Sequence, residues 1–353
     1  MTTSIRYMDQ TLGEGMKKAL PAAAISLIAQ ELSELPVAGM DISFGQLTAY
    51  EHALAEFRQL LRVRINPSVQ ELADVFSRGV PNMSLAYAHR PGTAITAELE
   101  EALGKALQLN IKTSLELTNA AVLSVDEIAD IVQQAERAGL DSLIYRDSGS
   151  RLDPFLTFAA ISELKQKTSC SIEFHGANQY SLATANALSA IQAGAAGIGT
   201  AVAGVGNPGH AAWEEVLLSN RFLLKRPAEM ADSLAKRCAA ILTAMEEELA
   251  VDKAVIGDNI FAHESGLHVF GIQKDPQIYE PFPPEAVGLE RYLIVGKHSG
   301  VTSLQIVLQD KGIQVHPTVL QRMLKQVRKA VLARKRPLRS AEVLELCLCD
   351  EAV

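Results

Sequence analysis

The feature that most constrains the fold of this chain is a regular alternation of short apolar runs with amphipathic segments. The apolar runs are 5–8, 37–42, 60–65, 83–87, 111–117, 142–145, 171–174 and 196–202. The helical patterns between them are 22–35, 48–60, 68–77, 97–109, 125–138, 154–167 and 182–193. Strands that alternate with helices predict a parallel sheet, and eight such units in about 220 residues predict a (β/α)8 TIM barrel. A doubly wound sheet is the alternative, but no G-x-G-x-x-G follows the first run.

The periodicity changes after about residue 222. Residues 228–249 have the pattern of one long amphipathic helix. Residues 255–300 are rich in Gly, Pro and His and show little periodicity, whereas 302–348 are helical again, with Pro317 suited to a first turn. The sequence therefore predicts a barrel domain over 1–222 and a C-terminal lid and helical dimerisation region over 223–353.

Charge and composition exclude several classes of function. The net charge of −8 argues against a nucleic-acid partner, because phosphate binding needs a basic surface. No apolar run reaches the roughly 18 residues that suggest a membrane span. The four cysteines, Cys170, Cys238, Cys347 and Cys349, form no C-x-x-C pair and predict free thiols. A reducing, cytoplasmic location is the expectation.

Polar side chains follow several of the predicted strands, and in a barrel these positions face one common site. They are Asp9 and Glu14, Asp41, His89, Asn119, Asp147 with Ser148, His175 with Asn178, and His210. Carboxylates and imidazoles that converge from separate strands suit a divalent metal, which could hold a 2-oxo acid. Structural roles are the alternative: Asp9 and Asp147 could bond loop backbone, His175 could be a satisfied core histidine, and His89 a solvated loop residue.

Five stretches resemble the barrel metalloenzymes that include homocitrate synthase, isopropylmalate synthase and citramalate synthase. D-Q-T-L-G-E-G at 9–15 is similar to their D-x-T-L-R-[DE]-G, and Y-R-D-S-G-S-R-L-D-P at 145–154 to A-D-T-x-G-x-L-D-P. F-H-G-A-N-Q-Y-S-L-A-T-A-N at 174–186 is similar to H-x-H-N-D-x-G-L-A-x-A-N. Residues 200–216 resemble T-x-x-G-x-G-E-R-x-G-N-x-x-L-E-E-V, and F-A-H-E-S-G-L-H at 261–268 resembles homocitrate synthases of the nitrogen-fixation type. The resemblance runs in order from Asp9 to about Gly300.

The resemblance implies an acyltransferase of nitrogen fixation or amino-acid biosynthesis that condenses acetyl-CoA with a 2-oxo acid, with 2-oxoglutarate favoured. A divalent metal (Mg, Mn or Zn) would polarise the oxo acid. The metal ligands implied are Glu14 and His175, with His210 as a possible substitute ligand. The substrate-binding residues implied are Asp9, Asp147, Ser148 and Asn178. His263 and His268 of the lid would be catalytic, reaching over from the neighbouring subunit of a dimer.

The departures from the family pattern fall on its chemistry. Gly13 stands where the family has its catalytic arginine, and Ala177 stands where it has a third metal ligand, a histidine. Asn207 and Pro208 replace a Glu-Arg pair, and His210 replaces an asparagine. The lid sequence, by contrast, is nearly intact. The residues that would serve this chain's own barrel have changed, and those that would be lent to a neighbour remain.

Three hypotheses follow from this asymmetry. In the first, the chain is one subunit of a two-component enzyme, and a paralogue with an intact barrel supplies the arginine and the metal site. In the second, the chain is self-sufficient, as a homodimer, with a metal site rebuilt around Glu14, His175 and His210. In the third, it is a non-catalytic protein that binds a 2-oxo acid or an acyl-CoA.

Overall fold

The computed structural model describes residues 4–264, 280–297, 299–309 and 312–348. The chain divides into two compact units. One comprises Met1–Ala231 and Lys236–Leu249, and the other comprises Asp232–Ala235 and Ala250–Val353. The domain boundary predicted at residue 222 stays a prediction, although helical residues just beyond it group with the first unit. The predicted catalytic residue His268 lies outside the described residues.

The first unit is a closed barrel of eight parallel strands. They are β1 (Arg6–Asp9), β2 (Gly39–Ser43), β3 (Leu61–Ile65), β4 (Asn82–Tyr87), β5 (Lys112–Leu117), β6 (Ser142–Asp147), β7 (Ser171–Gly176) and β8 (Gly197–Ala201). Each strand pairs with the next, and β1 pairs with both β2 and β8, which closes the sheet. The (β/α)8 prediction is confirmed and the doubly wound alternative is wrong. A short β9 (Ala211–Ala212) pairs with the end of β8.

The strand register brings the charged residues of the barrel interior together. Asp41 of β2 lies beside Arg62 of β3, and Arg146 of β6 lies beside His175 of β7. Glu173 of β7 is paired with Gly197 of β8, where the missing side chain leaves space for the glutamate. These polar residues interrupt strands that are otherwise buried and apolar, as expected for a barrel covered by helices.

The helices that accompany the barrel strands are α1 (Thr11–Lys17), α2 (Ala22–Ser33), α3 (Phe44–Ala49), α4 (Val69–Ser77), α5 (Ala97–Gln108), α6 (Val125–Arg137), α7 (Pro154–Lys167), α8 (Ala183–Ala193), α9 (Trp213–Leu218) and α10 (Leu234–Ala244). Helices α1 to α8 connect successive barrel strands, and α9 and α10 follow the last strand, with the first two residues of α10 grouped with the second unit. The side chains of Ser68, Thr96, Ser124 and Asp153 each accept an N–H from the third residue of the helix that follows. Such caps fix where a helix begins and stabilise it by about 1 kcal/mol each.

Two helical predictions were wrong in extent. The segment 48–60 is not one helix, because a Ser43–Gln46 capping box starts α3 earlier and the chain then forms a separate 3-10 helix at Ala55–Leu60. The segment 228–249 is helical only over α10. Ser233 and Glu246 flank it with φ of 54° and 58°, a left-handed conformation that interrupts an α-helix.

The second unit has its own small sheet and core. Strands β10 (Ala262–His263), β11 (Tyr292–Val295) and β12 (Leu338–Arg339) pair in that order, and helices α11 (Val301–Gln309), α12 (Pro317–Arg334) and α13 (Ser340–Leu348) pack beside them. Leu304, Val327 and Val343 are among the fully buried residues of this core. Pro317 lies in the first turn of α12, as predicted.

The cysteines and the possible membrane spans were both predicted from the sequence. Cys170, Cys238 and Cys347 are buried and are not joined to one another by a disulfide, which agrees with the prediction for those three. None of the helices described is both long and apolar enough to cross a membrane.

Candidate active site

The carboxyl ends of the barrel strands surround a polar cavity of about 310 Å³. Its charged lining residues are Glu14, Lys17, Asp41, Arg64, Glu116 and Arg146. A second cavity of about 140 Å³ shares Glu14, Lys17 and Arg146 and adds Asp147, Ser148, His175 and His210. The structure therefore brings most of the predicted site residues of the barrel to one face, although their individual contacts differ from those expected.

Asp9 is a buried carboxyl at the end of β1. One of its oxygens, Oδ2, accepts the backbone N–H of Leu12 at 3.0 Å, at the start of α1. Burial raises the pKa of Asp9 from 3.8 to about 7, against the opposing effect of this hydrogen bond. This hydrogen bond to the backbone is the structural alternative that the sequence left open for Asp9. Its substrate-binding role stays a prediction.

Replacing Asp9 with asparagine should change how stability depends on pH. The folded chain keeps the Asp9 proton between pH 3.8 and about 7, whereas the unfolded chain releases it, so the stability from this group falls as pH rises through that window. Asp9→Asn keeps the acceptor for the Leu12 N–H but has no proton to release. We expect this variant to lack the pH-dependent decrease in the free energy of unfolding, which amounts to at most about 4 kcal/mol. Urea unfolding at several pH values from 4.5 to about 7.5 measures the difference, and parallel curves for the two proteins would contradict the raised pKa.

Glu14 makes two short polar contacts at the carboxyl ends of the barrel strands, the region of the two cavities, which we call the mouth. Its Oε1 atom accepts hydrogen bonds from Lys17 Nζ at 2.7 Å and from His210 Nε2 at 3.0 Å. Burial alone would raise the pKa of Glu14, but these two donors outweigh it and lower the pKa below its usual value. Burial also lowers the pKa of His210, against the attraction of Glu14. Two of the three predicted metal ligands are thus in direct contact with one another.

Arg62 joins two carboxylates inside the barrel. Its guanidinium donates to both oxygens of Asp41 at 2.6 and 2.7 Å and to both oxygens of Glu173 at 2.6 and 3.0 Å. Burial would lower the pKa of Arg62, but the two carboxylates hold it well above its usual value. Glu173 also contacts His175, with Oε1 at 2.5 Å from Nε2. The pKa of Glu173 is lowered, because Arg62 and His175 outweigh the effect of burial.

The carboxylates bound by Arg62 belong to a cluster that can be compared with the metal site implied by the resemblance. Among the described residues, one group of three or more His, Cys, Asp or Glu side chains has its ligand atoms all within 4.8 Å of one another, and it consists of Asp41, Glu173 and His175. It is not the predicted set of Glu14, His175 and His210. Because the guanidinium of Arg62 already bonds both carboxylates, this group does not fit a divalent ion.

The three predicted substrate-binding residues after β6 and β7 bond the backbone. Both oxygens of Asp147 accept backbone N–H groups, from Arg151 and Leu152 at 2.9 and 3.0 Å. Ser148 Oγ donates to the carbonyl of Thr118 at 3.3 Å, and Asn178 Oδ1 accepts the N–H of Ala183 at 3.0 Å. These contacts hold the mouth loops, and the substrate role of the three residues stays a prediction.

Gly13 lies where the family pattern has an arginine, and neighbouring backbone leaves little space for a side chain there. A Cβ at this position would lie 2.9 Å from the backbone oxygen of Asp41. Its own carbonyl accepts a hydrogen bond from Gln46 Nε2 at 2.8 Å. A side chain at this position would therefore have to displace backbone, and an arginine cannot simply be put back.

We expect Gly13→Ala to destabilise the chain by about 1–3 kcal/mol, because the new methyl group overpacks this contact. Gly104→Ala is the matched control: Gly104 is also helical, in α5, but a Cβ there meets nothing within 4 Å. That change should stabilise by about 0.5–1 kcal/mol through helix propensity alone. Thermal unfolding of both variants makes the comparison, and a stabilising Gly13→Ala would show that the close contact relaxes without cost.

One predicted lid residue is described. His263 Nε2 lies 3.6 Å from Oε1 of Glu280, a buried carboxylate. Arg291 holds Glu280 with three hydrogen bonds of 2.7–3.0 Å. In the same unit, Phe261 and Phe282 pack edge to face, with ring centroids 5.5 Å apart. The lid thus places His263 near a buried carboxylate of its own unit, and the catalytic role of His263 stays a prediction.

Sequence reasoning missed the cations of the mouth. Lys17, Arg64 and Arg146 at the mouth, and Arg62 inside the barrel, were not named as site residues, yet each contacts a carboxylate. A signal was present for two of them: the run L-R-V-R-I of β3 places Arg62 and Arg64 within an otherwise apolar strand. A charge inside a buried strand requires a partner, and this rule could have identified them.

Two family models match the chain. The HMGL-like model matches residues 75–227, and the model described as homocitrate synthase post-HMGL domain-like matches residues 255–335. The two matched segments lie in the barrel unit and in the second unit, respectively.

Curated relatives cover much of the chain at moderate identity. The 2-isopropylmalate synthase 2 of Caldanaerobacter subterraneus is 34% identical over 250 residues, which are 70% of this chain and 65% of that protein. Homocitrate synthase 1 of Nostoc sp. is 36% identical over 62% of this chain and 59% of that protein, and the homocitrate synthase of Frankia sp. is 38% identical over 61% and 54%. The chain thus spans 54–65% of the length of these relatives at the matched residues.

Solved structures share the fold at low identity. HMG-CoA lyase of Bacillus subtilis aligns with a TM-score of 0.55 at 13% identity, over 69% of this chain and 92% of that one. The carboxyl transferase domain of Rhizobium etli pyruvate carboxylase aligns with a TM-score of 0.59 at 14% identity, over 69% and 47%. From its motifs, barrel and relatives, the chain belongs to the HMGL-like family of (β/α)8-barrel proteins that includes homocitrate synthases and 2-isopropylmalate synthases.

Proposed function

We propose that this chain is one subunit of a two-component enzyme that condenses acetyl-CoA with a 2-oxo acid, 2-oxoglutarate being favoured. Its lid, with His263 and His268, would complete the active site of a paralogous chain whose barrel keeps the arginine and the metal ligands. Its own barrel would act mainly as a scaffold. The names of the relatives support the reaction class, and the nearly intact lid sequence supports 2-oxoglutarate.

The observation that carries this proposal is the contrast between the two units. In the barrel, Gly13 abuts the backbone of Asp41, so no cationic side chain can reach a developing oxyanion from this position. In the second unit, the buried carboxylate of Glu280 is held by Arg291 beside His263. A histidine next to a fixed carboxylate is suited to moving a proton.

The direct test is acetyl-CoA-dependent release of CoA in the presence of 2-oxoglutarate. The chain is expressed alone, and also together with a paralogous chain from the same source that has D-x-T-L-R-[DE]-G and H-x-H. We expect activity only from the mixture, with both chains in one complex by size-exclusion chromatography. Full activity of the isolated chain would refute the two-component proposal.

A second candidate rests on one contact. His210 Nε2 lies 3.0 Å from Glu14 Oε1, which brings together two of the residues around which a self-sufficient enzyme could rebuild its site. This candidate requires turnover by the isolated chain and loss of that turnover in His210→Ala. Inactivity of the isolated chain under conditions where the mixture turns over excludes it.

A further inference from the structure

The carboxylates of this barrel mouth are already matched by cationic side chains of the same chain. We infer that the mouth holds no divalent metal ion, because Lys17, Arg62 and Arg146 take the place of that ion against the carboxylates and imidazoles that would bind it. The inference concerns the barrel of this chain alone and does not depend on the proposed two-component function.

Glu14 is the carboxylate that the family pattern assigns to the metal. Its Oε1 atom already receives Lys17 Nζ at 2.7 Å and His210 Nε2 at 3.0 Å. The side chains of Glu14 and His210 are 11% and 13% exposed, so water competes little for the contact between them, whereas Lys17 is 63% exposed. A metal ion bound to this oxygen would have to displace an ammonium group and an imidazole.

The group formed by Asp41, Glu173 and His175 has ligand atoms close enough together to suggest a metal site. All four of its carboxylate oxygens accept hydrogen bonds from Arg62, whose side chain is 6% exposed. Arginine cannot lose its charge in a protein, so Arg62 cannot give way to a metal by deprotonation. A dication there would face a fixed positive charge at hydrogen-bond range.

His175 is the other ligand that the family pattern assigns to the metal. Its Nε2 atom lies 2.5 Å from Glu173 Oε1, and its Nδ1 atom lies 3.5 Å from a guanidinium nitrogen of Arg146. Both ring nitrogens therefore already face protein groups. Gly199 leaves the space for this ring position, because a Cβ there would lie 2.4 Å from the ring.

The charges of the mouth balance without a metal. Its carboxylates Glu14, Asp41, Glu116 and Glu173 are matched by Lys17, Arg62, Arg64 and Arg146. Two further carboxyl groups bond the backbone: Asp147 uses both oxygens on backbone N–H groups, and the buried Asp9 accepts the N–H of Leu12. A divalent ion needs several free oxygen or nitrogen ligands and excess negative charge. Among these described carboxylates, Glu116 Oε1 is a buried oxygen without a hydrogen bond, and it lies 3.5 Å from Arg146 Nε, so the arrangement does not supply several free ligands.

The test measures metal binding and stability of the purified full chain, without an activity assay. After treatment with EDTA, the chain is titrated separately with Mn²⁺, Mg²⁺ and Zn²⁺ by calorimetry, and its metal content is measured by mass spectrometry after dialysis. We expect no stoichiometric metal and no shift of Tm with any of the three ions or with EDTA. A ligand bound only by the folded chain would raise Tm, so the second measurement is independent of the first.

Two variants assign any binding that is seen. Stoichiometric binding that is lost in Glu14→Gln or in His175→Asn would overturn the inference, because it would show a metal in the mouth. Binding that persists in both variants would lie elsewhere on the chain and would support it. Since these measurements involve no turnover, a negative result in the two-component assay leaves their outcome unaffected.

Discussion

Replacing Arg62 with methionine should destabilise the chain by about 3–5 kcal/mol, because it leaves two buried carboxylates without their counter-charge. Arg62 makes four hydrogen bonds to Asp41 and Glu173 and is 6% exposed. Methionine keeps roughly the length of the aliphatic stem but not the guanidinium, so the loss measures the removed charge together with its four hydrogen bonds. Urea unfolding followed by circular dichroism gives the free energy of unfolding.

Two controls distinguish this loss from a general effect of removing an arginine. Arg58 forms a more exposed pair with Glu51, at 3.8 Å and 36% exposure, and Arg58→Met should cost at most about 1 kcal/mol. In an Asp41→Asn, Glu173→Gln background, Arg62→Met should cost much less than it does alone, because no buried charge is then left unpaired. A cost below about 1 kcal/mol for Arg62→Met itself would show that water reaches the two carboxylates.

The second large effect is expected in the mixture of the two proposed components. His268→Ala in this chain should lower the activity of the mixture by about 10²–10⁴-fold, the usual contribution of a positioned proton-transfer group. The partner's barrel would keep its metal and its substrates, so kcat should fall more than KM rises. Steady-state kinetics on mixtures at fixed composition measure both quantities.

The barrel of this chain provides the matching comparison. Arg146→Gln changes a residue that lines both mouth cavities, and it should leave the activity of the mixture nearly unchanged if this mouth takes no part in turnover. His52→Ala, which removes an exposed histidine of the barrel unit, controls for the loss of an imidazole as such. Equal losses from Arg146→Gln and His268→Ala would place the chemistry in this chain's own barrel and contradict the proposal.

The architecture could be predicted because it depends on local periodicity. Apolar runs of strand length alternate with amphipathic segments, and a parallel sheet of eight such units closes into a barrel. Helix ends were less predictable, since they depend on single residues. The Ser43 cap and the left-handed conformation of Ser233 set where two helices begin, and both starts differ from the predicted ones. Neither residue leaves a mark in the hydrophobic pattern from which those helices were predicted.

The sequence by itself determined the family, the barrel and the two substitutions, Gly13 and Ala177, that remove the expected chemistry. Only the tertiary structure decided what replaced that chemistry. The register that sets Asp41 beside Arg62 and Arg146 beside His175 joins residues from separate strands, and such contacts leave no periodic trace in the sequence. Whether a carboxylate binds a metal, a substrate or a neighbouring arginine depends on what lies within about 3 Å of its oxygens, and long-range pairing fixes those distances.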